Sequence, residues 1–247
     1  MEAAFALNAA SIKEVSVKSR LETVIAEGAL NELIQNGQLI LLEDGEIKST
    51  SDLLVIARPH WSDLRGRFEN MLLAYQKQFP LRRGMPREEL KSKIKLSARV
   101  FNASCRKLTM EKIIVDAGET VSIAGHEIKF DSGEQAKVRE LMRRFENSPY
   151  ATPSVKESQS EVGEEVFNAL IGSGELVAVS PDIVFRKKDY DMLNEKVRTA
   201  LIQNGQITLA EVRDMLNTTR KYAQALLEHL DSLGVTIRDG DVRKLKK

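Results

Sequence analysis

The stretch Thr218–Lys247, TTRKYAQALLEHLDSLGVTIRDGDVRKLKK, indicates a helix followed by a β-hairpin. Apolar side chains recur in its first half at the spacing of one helix face, and Gly234 is placed to end that helix. The members of this face are Tyr222, Ala223, Leu226, Leu227, Leu230 and Leu233. The segments Val235–Arg238 and Asp241–Leu245 then predict two strands joined by a tight turn at Asp239-Gly240. A helix that leads into such a hairpin is the second half of a winged helix.

The charges at the start of this helix conflict with its dipole. Thr218 is the predicted N-cap, which puts Arg220 and Lys221 in the first turn, where exposed N–H groups already make a positive end. A phosphate group would satisfy these N–H groups and both cations together. Arg238 and Arg243 add positive charge to the predicted wing. The pattern therefore predicts a nucleic-acid-binding site.

Composition limits the class of protein. The chain has 247 residues, a net charge of +1 and one cysteine, Cys105, which suits a reducing compartment such as the cytoplasm. No apolar run is long enough for a membrane span, and residues 1–10 do not form a signal-peptide pattern. The charge is uneven, with 15 basic against 9 acidic residues over 57–131 and 13 against 9 over 186–247. These two basic segments alternate with acidic ones, so the small net charge does not exclude a nucleic-acid binder.

One pattern of helices and a two-stranded hairpin occurs four times along the chain. The first hairpin strands are predicted to open near Gln38, Lys112, Leu176 and Val235, a domain-sized spacing. The sequence therefore predicts an α+β fold, mainly α, of four tandem winged-helix domains in an elongated array. Each domain would be a helix-turn-helix plus a β-hairpin wing, with boundaries at 1–57, 58–130, 131–187 and 188–247.

Several local signals support these domains. Met1–Ala10 is predicted to be helical and Val15–Val17 to be a short strand. The apolar stripe from Trp61 to Phe79 predicts a long helix with a buried face. Ser154 and Thr208 each begin a capping-box pattern that opens a short helix.

The chain shows no catalytic or metal-binding pattern. It has neither of the glycine-rich nucleotide-binding motifs, and His60, His126 and His229 lack the spacing of metal ligands. A basic cluster in the second domain favours a solvated surface over an RNA contact, because no apolar or aromatic pattern accompanies it. Its members are Arg82, Arg83, Arg87, Lys91, Lys93 and Lys95. We therefore interpret the chain as a binding protein, not an enzyme, without a cofactor of its own.

Three segments carry a resemblance to a known family. Residues Thr219–Ala223, with Leu226-Leu227-Glu228 and Gly240–Arg243, closely resemble the C-terminal winged helix of the bacterial selenocysteine-specific elongation factor. Pro80–Leu90 resembles a second stretch of that factor, and Ile207–Glu211 with Arg213-Asp214 resembles a third. With the four predicted winged helices, the resemblance covers essentially the whole chain.

This resemblance implies the RNA-binding part of a translation factor. The family's full protein has GTPase domains that bind GTP, magnesium and selenocysteinyl-tRNA, and those domains are absent from this sequence. The last winged helix of the family binds the messenger hairpin, with its bulge, that recodes UGA. The implied partners are this stem-loop and, through the full factor, the ribosome and the tRNA, with no membrane and a monomeric chain in the cytoplasm.

The resemblance also assigns residues. Thr218, Thr219, Arg220 and Lys221 would hold phosphates, and Arg238 and Arg243 would lie on the hairpin-facing wing. Arg213 and Tyr222 lie in the matching segments and complete the predicted RNA-binding set.

The sequence departs from the family pattern at three positions. Ile237 stands where the wing usually has the first of two arginines, His229 replaces a common tyrosine, and Ala225 replaces a frequent proline. The change at Ile237 would weaken RNA affinity or shift hairpin preference.

Two other functions remain open at this stage. A regulator that binds double-stranded DNA would use the recognition helix and would usually be a dimer that presents two half-sites. Gln224 and Glu228 offer it few base-reading side chains. A protein-docking scaffold, with its charges merely solvated, is the other alternative.

Overall fold

The computed structural model describes residues 1–246, in which helices α1 to α12 and strands β1 to β11 follow one another along the chain. The chain divides into two compact units, Met1–Glu127 and Ile128–Lys247. Each unit contains two groups of helices that are each closed by a small antiparallel sheet. The α+β, mainly helical fold class is confirmed.

The first group combines three helices with a three-stranded sheet in the order β1-β3-β2. Its elements are α1 (Glu2–Leu7), β1 (Ala10–Ser11), α2 (Ile12–Ser19), α3 (Thr23–Gln35), β2 (Leu39–Leu41) and β3 (Leu54–Ala57). The predicted strand at Val15–Val17 is wrong, because this segment belongs to α2. A capping box between Ser11 and Glu14 starts α2, and its side chains at Ile12 and Val15 are buried at helical spacing.

The second group repeats this arrangement, with a sheet in the order β4-β6-β5. Its elements are α4 (Arg58–Gln78), β4 (Met85–Pro86), α5 (Arg87–Ile94), α6 (Ala98–Met110), β5 (Ile114–Asp116) and β6 (Thr120–Ile123). The predicted buried face of α4 is confirmed, since Trp61, Leu64, Phe68, Leu72 and Tyr75 are buried. Pro59 lies in the first turn of this helix. A backbone N–H there would have no intrahelical acceptor, so proline, which lacks the N–H, loses no hydrogen bond.

The third group has a two-stranded sheet. Its elements are α7 (Ser132–Asn147), α8 (Val155–Val162), α9 (Glu164–Ser173), β7 (Leu176–Ala178) and β8 (Val184–Arg186). A single bridge between Ser154 and Ile183 stands where the other groups have their third strand. The predicted capping box at Ser154 is confirmed, with the Glu157 carboxylate bound by the Ser154 N–H at 2.8 Å.

The fourth group has a sheet in the order β10-β11-β9. Its elements are α10 (Lys187–Asn204), β9 (Ile207–Thr208), α11 (Leu209–Met215), α12 (Arg220–Ser232), β10 (Thr236–Asp239) and β11 (Val242–Leu245). The predicted hairpin is shifted by one residue, because Asp239 pairs with Val242 and the turn is Gly240-Asp241. Gly240 has a φ of 62°, a conformation that glycine adopts without a steric penalty.

One apolar core joins the third and fourth groups. Phe185 of β8 and Tyr190 of α10 are buried in the same cluster as Leu226, Leu227 and Leu230 of α12. The helix that precedes the wing is therefore fixed by burial on its apolar face, and only its polar face and its N-terminal end are available to a ligand. Across residues 1–246, no helix has the length and apolar character to cross a membrane.

Cys105 lies in the core of the first unit and is fully buried. Burial disfavours the thiolate and raises the pKa of the Cys105 thiol to about 12. We therefore expect the native protein not to react with a chromogenic disulfide reagent at pH 8, and to release one equivalent of chromophore once it is unfolded. A stoichiometric reaction of the folded chain would contradict the core packing around α6.

Candidate nucleic-acid interface

A pocket of about 290 Å³ opens between α11, the start of α12 and the wing of the fourth group. Its polar lining is dominated by guanidinium groups. It is lined by Thr208, Leu209, Ala210, Arg213, Arg220, Arg238, Asp241 and Arg243. Four arginines and one carboxylate thus face the same space, which we call the arginine pocket.

The first turn of α12 lacks a side-chain cap. The N-cap is Thr219, in an extended conformation and without a capping hydrogen bond, and no acidic residue lies in the first turn. Arg220 and Lys221 are the first two helical residues, as the sequence predicts. The N-cap prediction for Thr218 is wrong by one residue. In contrast, Thr208 caps the preceding helix α11, so the open end of α12 is a local feature.

Arg220 has no carboxylate partner in the part of the chain that the structure describes. Among residues 1–246, its side chain makes no ion pair and no hydrogen bond, and it is exposed at the edge of the arginine pocket. Lys221 is also exposed and forms no ion pair with a described residue. It makes a minor contribution to lowering the pKa of Glu157, which is lowered mainly by hydrogen bonds from Ser154. Both cations are therefore free to contact an anion.

Thr218 and Tyr222 contact the third group. The Thr218 hydroxyl donates to the carbonyl of Tyr150, and the Tyr222 hydroxyl donates to the carbonyl of Thr152 at 2.7 Å. The Thr152 hydroxyl in turn donates to the carbonyl of Val184 at 2.7 Å and is buried. These bonds hold the start of α12 against the connector between α7 and α8, so the two hydroxyl protons are already used within the protein.

Arg213 lies at the outer edge of the arginine pocket. Its guanidinium bonds the neighbouring Asp214, with Nε at 2.7 Å from Oδ1, and its side chain is 45% exposed. An exposed pair between adjacent residues contributes little to stability. Arg213 can therefore exchange this partner for a phosphate at small cost.

The two wing arginines have different surroundings. Arg238 and Arg243 are direct cross-strand neighbours in the hairpin β10–β11, so their side chains share one face. Arg238 is exposed, and its Nε donates to the carbonyl of Gly240 at 3.0 Å. Arg243 is buried, and its Nε lies 3.3 Å from Oδ2 of Asp231 in α12. Arg243 thus lies in the wing, as the sequence predicts, but its guanidinium ties the wing to the helix.

The Asp231 carboxylate is a feature that the sequence analysis missed. It accepts the hydroxyl of Thr236 as well as the guanidinium of Arg243, and so joins the end of α12 to both wing strands. Neither periodicity nor spacing marks Asp231, since its partners lie five and twelve residues away in strands whose register is set by the turn. Asp241 was missed as well, because it stands in a turn where aspartate is common.

Three of the six members of the basic cluster of the second group pair with carboxylates. Arg87 pairs with Asp116 at 3.1 Å, and Lys91 and Lys93 pair with Glu88 and Glu89. These contacts agree with the expectation of a solvated surface. Within residues 1–246, no three His, Cys, Asp or Glu side chains come together in a group that could hold a metal ion.

Two segments of the chain match family models. Residues 70–123 and residues 199–245 each match a family described as "Elongation factor SelB, winged helix". The second match contains the arginine pocket and every residue of the predicted RNA-binding set. The chain contains winged-helix domains of the SelB family.

A curated relative supports this assignment. The chain is 26% identical over 193 residues to the selenocysteine-specific elongation factor of Desulfomicrobium baculatum, and the match covers 74% of this chain and 30% of the relative. The chain thus corresponds to less than a third of the length of that SelB relative. This relative and the two matched segments agree on winged-helix domains of the SelB type.

Two solved structures are similar to parts of this chain. The mRNA-binding domain of elongation factor SelB from E. coli, solved in complex with SECIS RNA, is 24% identical, with a TM-score of 0.40. It covers 48% of this chain and 100% of its own. A bacterial selenocysteine-specific elongation factor, EF-Sec, is 16% identical, with a TM-score of 0.43, over 95% of this chain and 40% of its own. Both TM-scores are low, so the SelB assignment stands on the sequence matches.

Proposed function

We propose that this chain is the mRNA-hairpin-binding part of a selenocysteine-specific elongation factor. The fourth group would hold the RNA backbone at the start of α12 and place the wing against unpaired bases. The observation that carries the proposal is Arg220, which has no partner among residues 1–246 and lies beside an uncapped helix start in a pocket with three further arginines. Cations in this first turn destabilise the free helix. A bound polyanion would offset this cost, which explains why the cations are placed there.

The arrangement favours a hairpin over duplex DNA. Readers of duplex DNA insert the recognition helix into the major groove and contact base edges with its exposed side chains. On α12 the two polar side chains suited to this task, Gln224 and Glu228, are hydrogen-bonded to each other at 2.8 Å. The cations instead lie at the helix end and on the wing, where they can follow a backbone and reach a loop or a bulge.

The remaining groups complete the proposal. The four groups would be four tandem winged helices, at 1–57, 58–130, 131–187 and 188–247. The first three would act as spacer and relay to GTPase domains that bind GTP, magnesium and selenocysteinyl-tRNA on the ribosome. In this proposal the factor is a cytoplasmic monomer, and the chain itself has no catalytic residue and no cofactor.

A competition experiment tests the proposal. A fluorescent RNA stem-loop with a bulge is first bound to the chain. Three unlabelled competitors are then added in separate titrations: the same stem-loop, its bulge-less version and duplex DNA of equal length. We expect the bulged stem-loop to compete at least about tenfold better than either rival, since unpaired bases add contacts to those with the backbone. Equal competition by duplex DNA would overturn the proposal in favour of the DNA-binding alternative.

A further inference from the structure

A cavity of about 440 Å³ opens in the first unit, between the end of α1, the first half of α4 and the start of α6. We call it the α4–α6 cavity. Its apolar wall includes Ile56, Leu64, Leu96 and Val100, and polar side chains line the rest. A concave space of this volume, mostly apolar with a few polar groups, is typical of a site for a small molecule. The cavity is separate from the arginine pocket, which belongs to the fourth group.

Two cations lie next to each other in the lining of this cavity. Nη2 of Arg67 donates to the carbonyl of Ile94 at 2.7 Å, which places the guanidinium beside the following residue, Lys95. Within the described chain, neither Arg67 nor Lys95 forms an ion pair, although Asp63 also lines the cavity one turn before Arg67. Two cations against one carboxylate give the lining a net positive charge, which attracts an anion.

The cavity also contains a polar atom that lacks a partner. Nδ1 of His60 is buried and makes no hydrogen bond with any residue of 1–246, and His60 lines the cavity. Buried polar atoms are nearly always hydrogen-bonded, because an unpaired one loses its hydration without compensation. An imidazole nitrogen can donate or accept, according to its tautomer. A polar ligand in the cavity would give this nitrogen a partner.

The second and fourth groups have the same local backbone at this place. Lys95 and Asn217 both have a positive φ, 57° and 46°, and in each group the next helix begins three residues later. The third residue of that helix is Val100 in α6 and Tyr222 in α12. Val100 and Tyr222 are therefore equivalent positions in the two groups.

The size of the side chain at this position explains the opening. In the fourth group, the Tyr222 hydroxyl donates to the Thr152 carbonyl at 2.7 Å, and its ring lies 6.2 Å from that of Phe185, so the tyrosine occupies the space between α12 and the preceding group. Val100 has no ring to place there and instead lines the α4–α6 cavity. The second group thus keeps open a space that the fourth group fills with its own side chain.

We propose that the α4–α6 cavity binds a small organic anion with an apolar ring. The ring would pack against Leu64 and Val100, and the anionic group, a carboxylate or a phosphate, would contact Arg67 and Lys95. The same wall residues would exclude water from the ring, while the charged head remains near the opening. This inference is independent of RNA binding by the fourth group.

The test titrates the whole isotope-labelled chain with four compounds and follows its amide chemical shifts by NMR. Phenyl phosphate and benzoate carry both a ring and an anionic group, benzyl alcohol has the ring alone, and inorganic phosphate has the charge alone. We expect at least one of the two aromatic anions to bind with a dissociation constant of about 1 mM or below, a modest affinity for a ligand of this size. Benzyl alcohol and inorganic phosphate should not reach half-saturation at about 10 mM. The absence of saturation by both aromatic anions would overturn the proposal.

A matched pair of substitutions tests the cation. Lys95→Asn removes the charge, and asparagine tolerates the positive φ of this position. It should weaken binding of the aromatic anion about five- to tenfold, as expected for the loss of a charge-assisted contact. Lys112→Asn makes the same change at an exposed lysine with the same φ of 57°, outside the cavity, and should leave affinity within about twofold. Equal effects of the two substitutions would show that the anion does not contact Lys95.

Two further variants test the position of the ligand. Val100→Tyr introduces the side chain that the fourth group has at this position and should abolish binding of both anions, with circular dichroism as the check of folding. Asp63→Asn should strengthen binding about two- to threefold, because it removes an exposed like charge. A folded Val100→Tyr chain that binds as the wild type does would overturn the proposal. If this variant does not fold, the two lysine substitutions decide the question.

RNA is the competing ligand for the two cations. If neither aromatic anion binds and Lys95→Asn instead lowers affinity for the RNA stem-loop, Lys95 contacts a nucleic-acid backbone and this inference is wrong, while the proposed function stands. Conversely, a chain that binds an aromatic anion but shows no preference for stem-loops supports this inference and overturns the proposed function.

Discussion

Replacement of Arg243 by alanine should lower the free energy of unfolding of the second unit by about 2–3 kcal/mol. The Arg243 side chain is 5% exposed and Asp231 is 23% exposed, so the substitution leaves a partly desolvated carboxylate with Thr236 as its remaining partner. Removal of one member of a fully buried pair costs about 3–5 kcal/mol, and the partial exposure of Asp231 reduces that figure. Urea unfolding followed by far-ultraviolet circular dichroism measures the change.

Three comparisons test the cause of this loss. Arg238→Ala, which removes the exposed cross-strand neighbour, should shift stability by less than about 0.5 kcal/mol. Arg243→Met combined with Asp231→Leu should recover most of the loss, because no unpaired charge is left. The fluorescence of Trp61, the only tryptophan, reports on the first unit and should keep its midpoint. Equal losses for Arg238→Ala and Arg243→Ala would contradict the assignment of Arg243 as the anchor of the wing.

The sequence predicts the fold correctly where a pattern of residues is compatible with only one local structure. The stripe from Trp61 to Tyr75 can be buried only on one helix face, and the capping boxes at Ser154 and Thr208 fix where two short helices begin. The errors occur in short segments. Val15–Val17 is rich in residues typical of strands, but the cap at Ser11 and the burial of Val15 against neighbouring elements outweigh that propensity.

The candidate site shows a different limit. The sequence identifies the cations at the start of α12, because they conflict with the helix dipole, and this conflict is a local property of adjacent residues. It cannot separate Arg238 from Arg243, since both lie symmetrically about the turn. What separates them is Asp231, whose contact with Arg243 depends on the packing of the wing against α12. Such a contact follows from tertiary structure and has no signal in the residues themselves.

The largest loss of RNA affinity is expected from the double substitution Arg220→Ala and Lys221→Ala. Two charge-assisted contacts to phosphate, each contributing about 1.5 kcal/mol, give a loss of roughly 100-fold. The plot of log affinity against log salt should also become shallower by about 1.5–2, because two fewer counterions are released. Titrations of the stem-loop at several salt concentrations measure both quantities.

A matched control variant tests this prediction, and so does the stability of the free protein, which should change in the opposite direction to RNA affinity. Lys188→Ala with Arg198→Ala removes two exposed cations from α10, outside the arginine pocket, and should leave affinity within about twofold. The loss of Arg220 and Lys221 should also stabilise the free protein slightly, by about 0.3–1 kcal/mol for each charge, because cations oppose the helix dipole at this end. A fall in affinity together with a rise in stability identifies the two residues as a binding site. An unchanged salt slope would show that neither residue contacts phosphate.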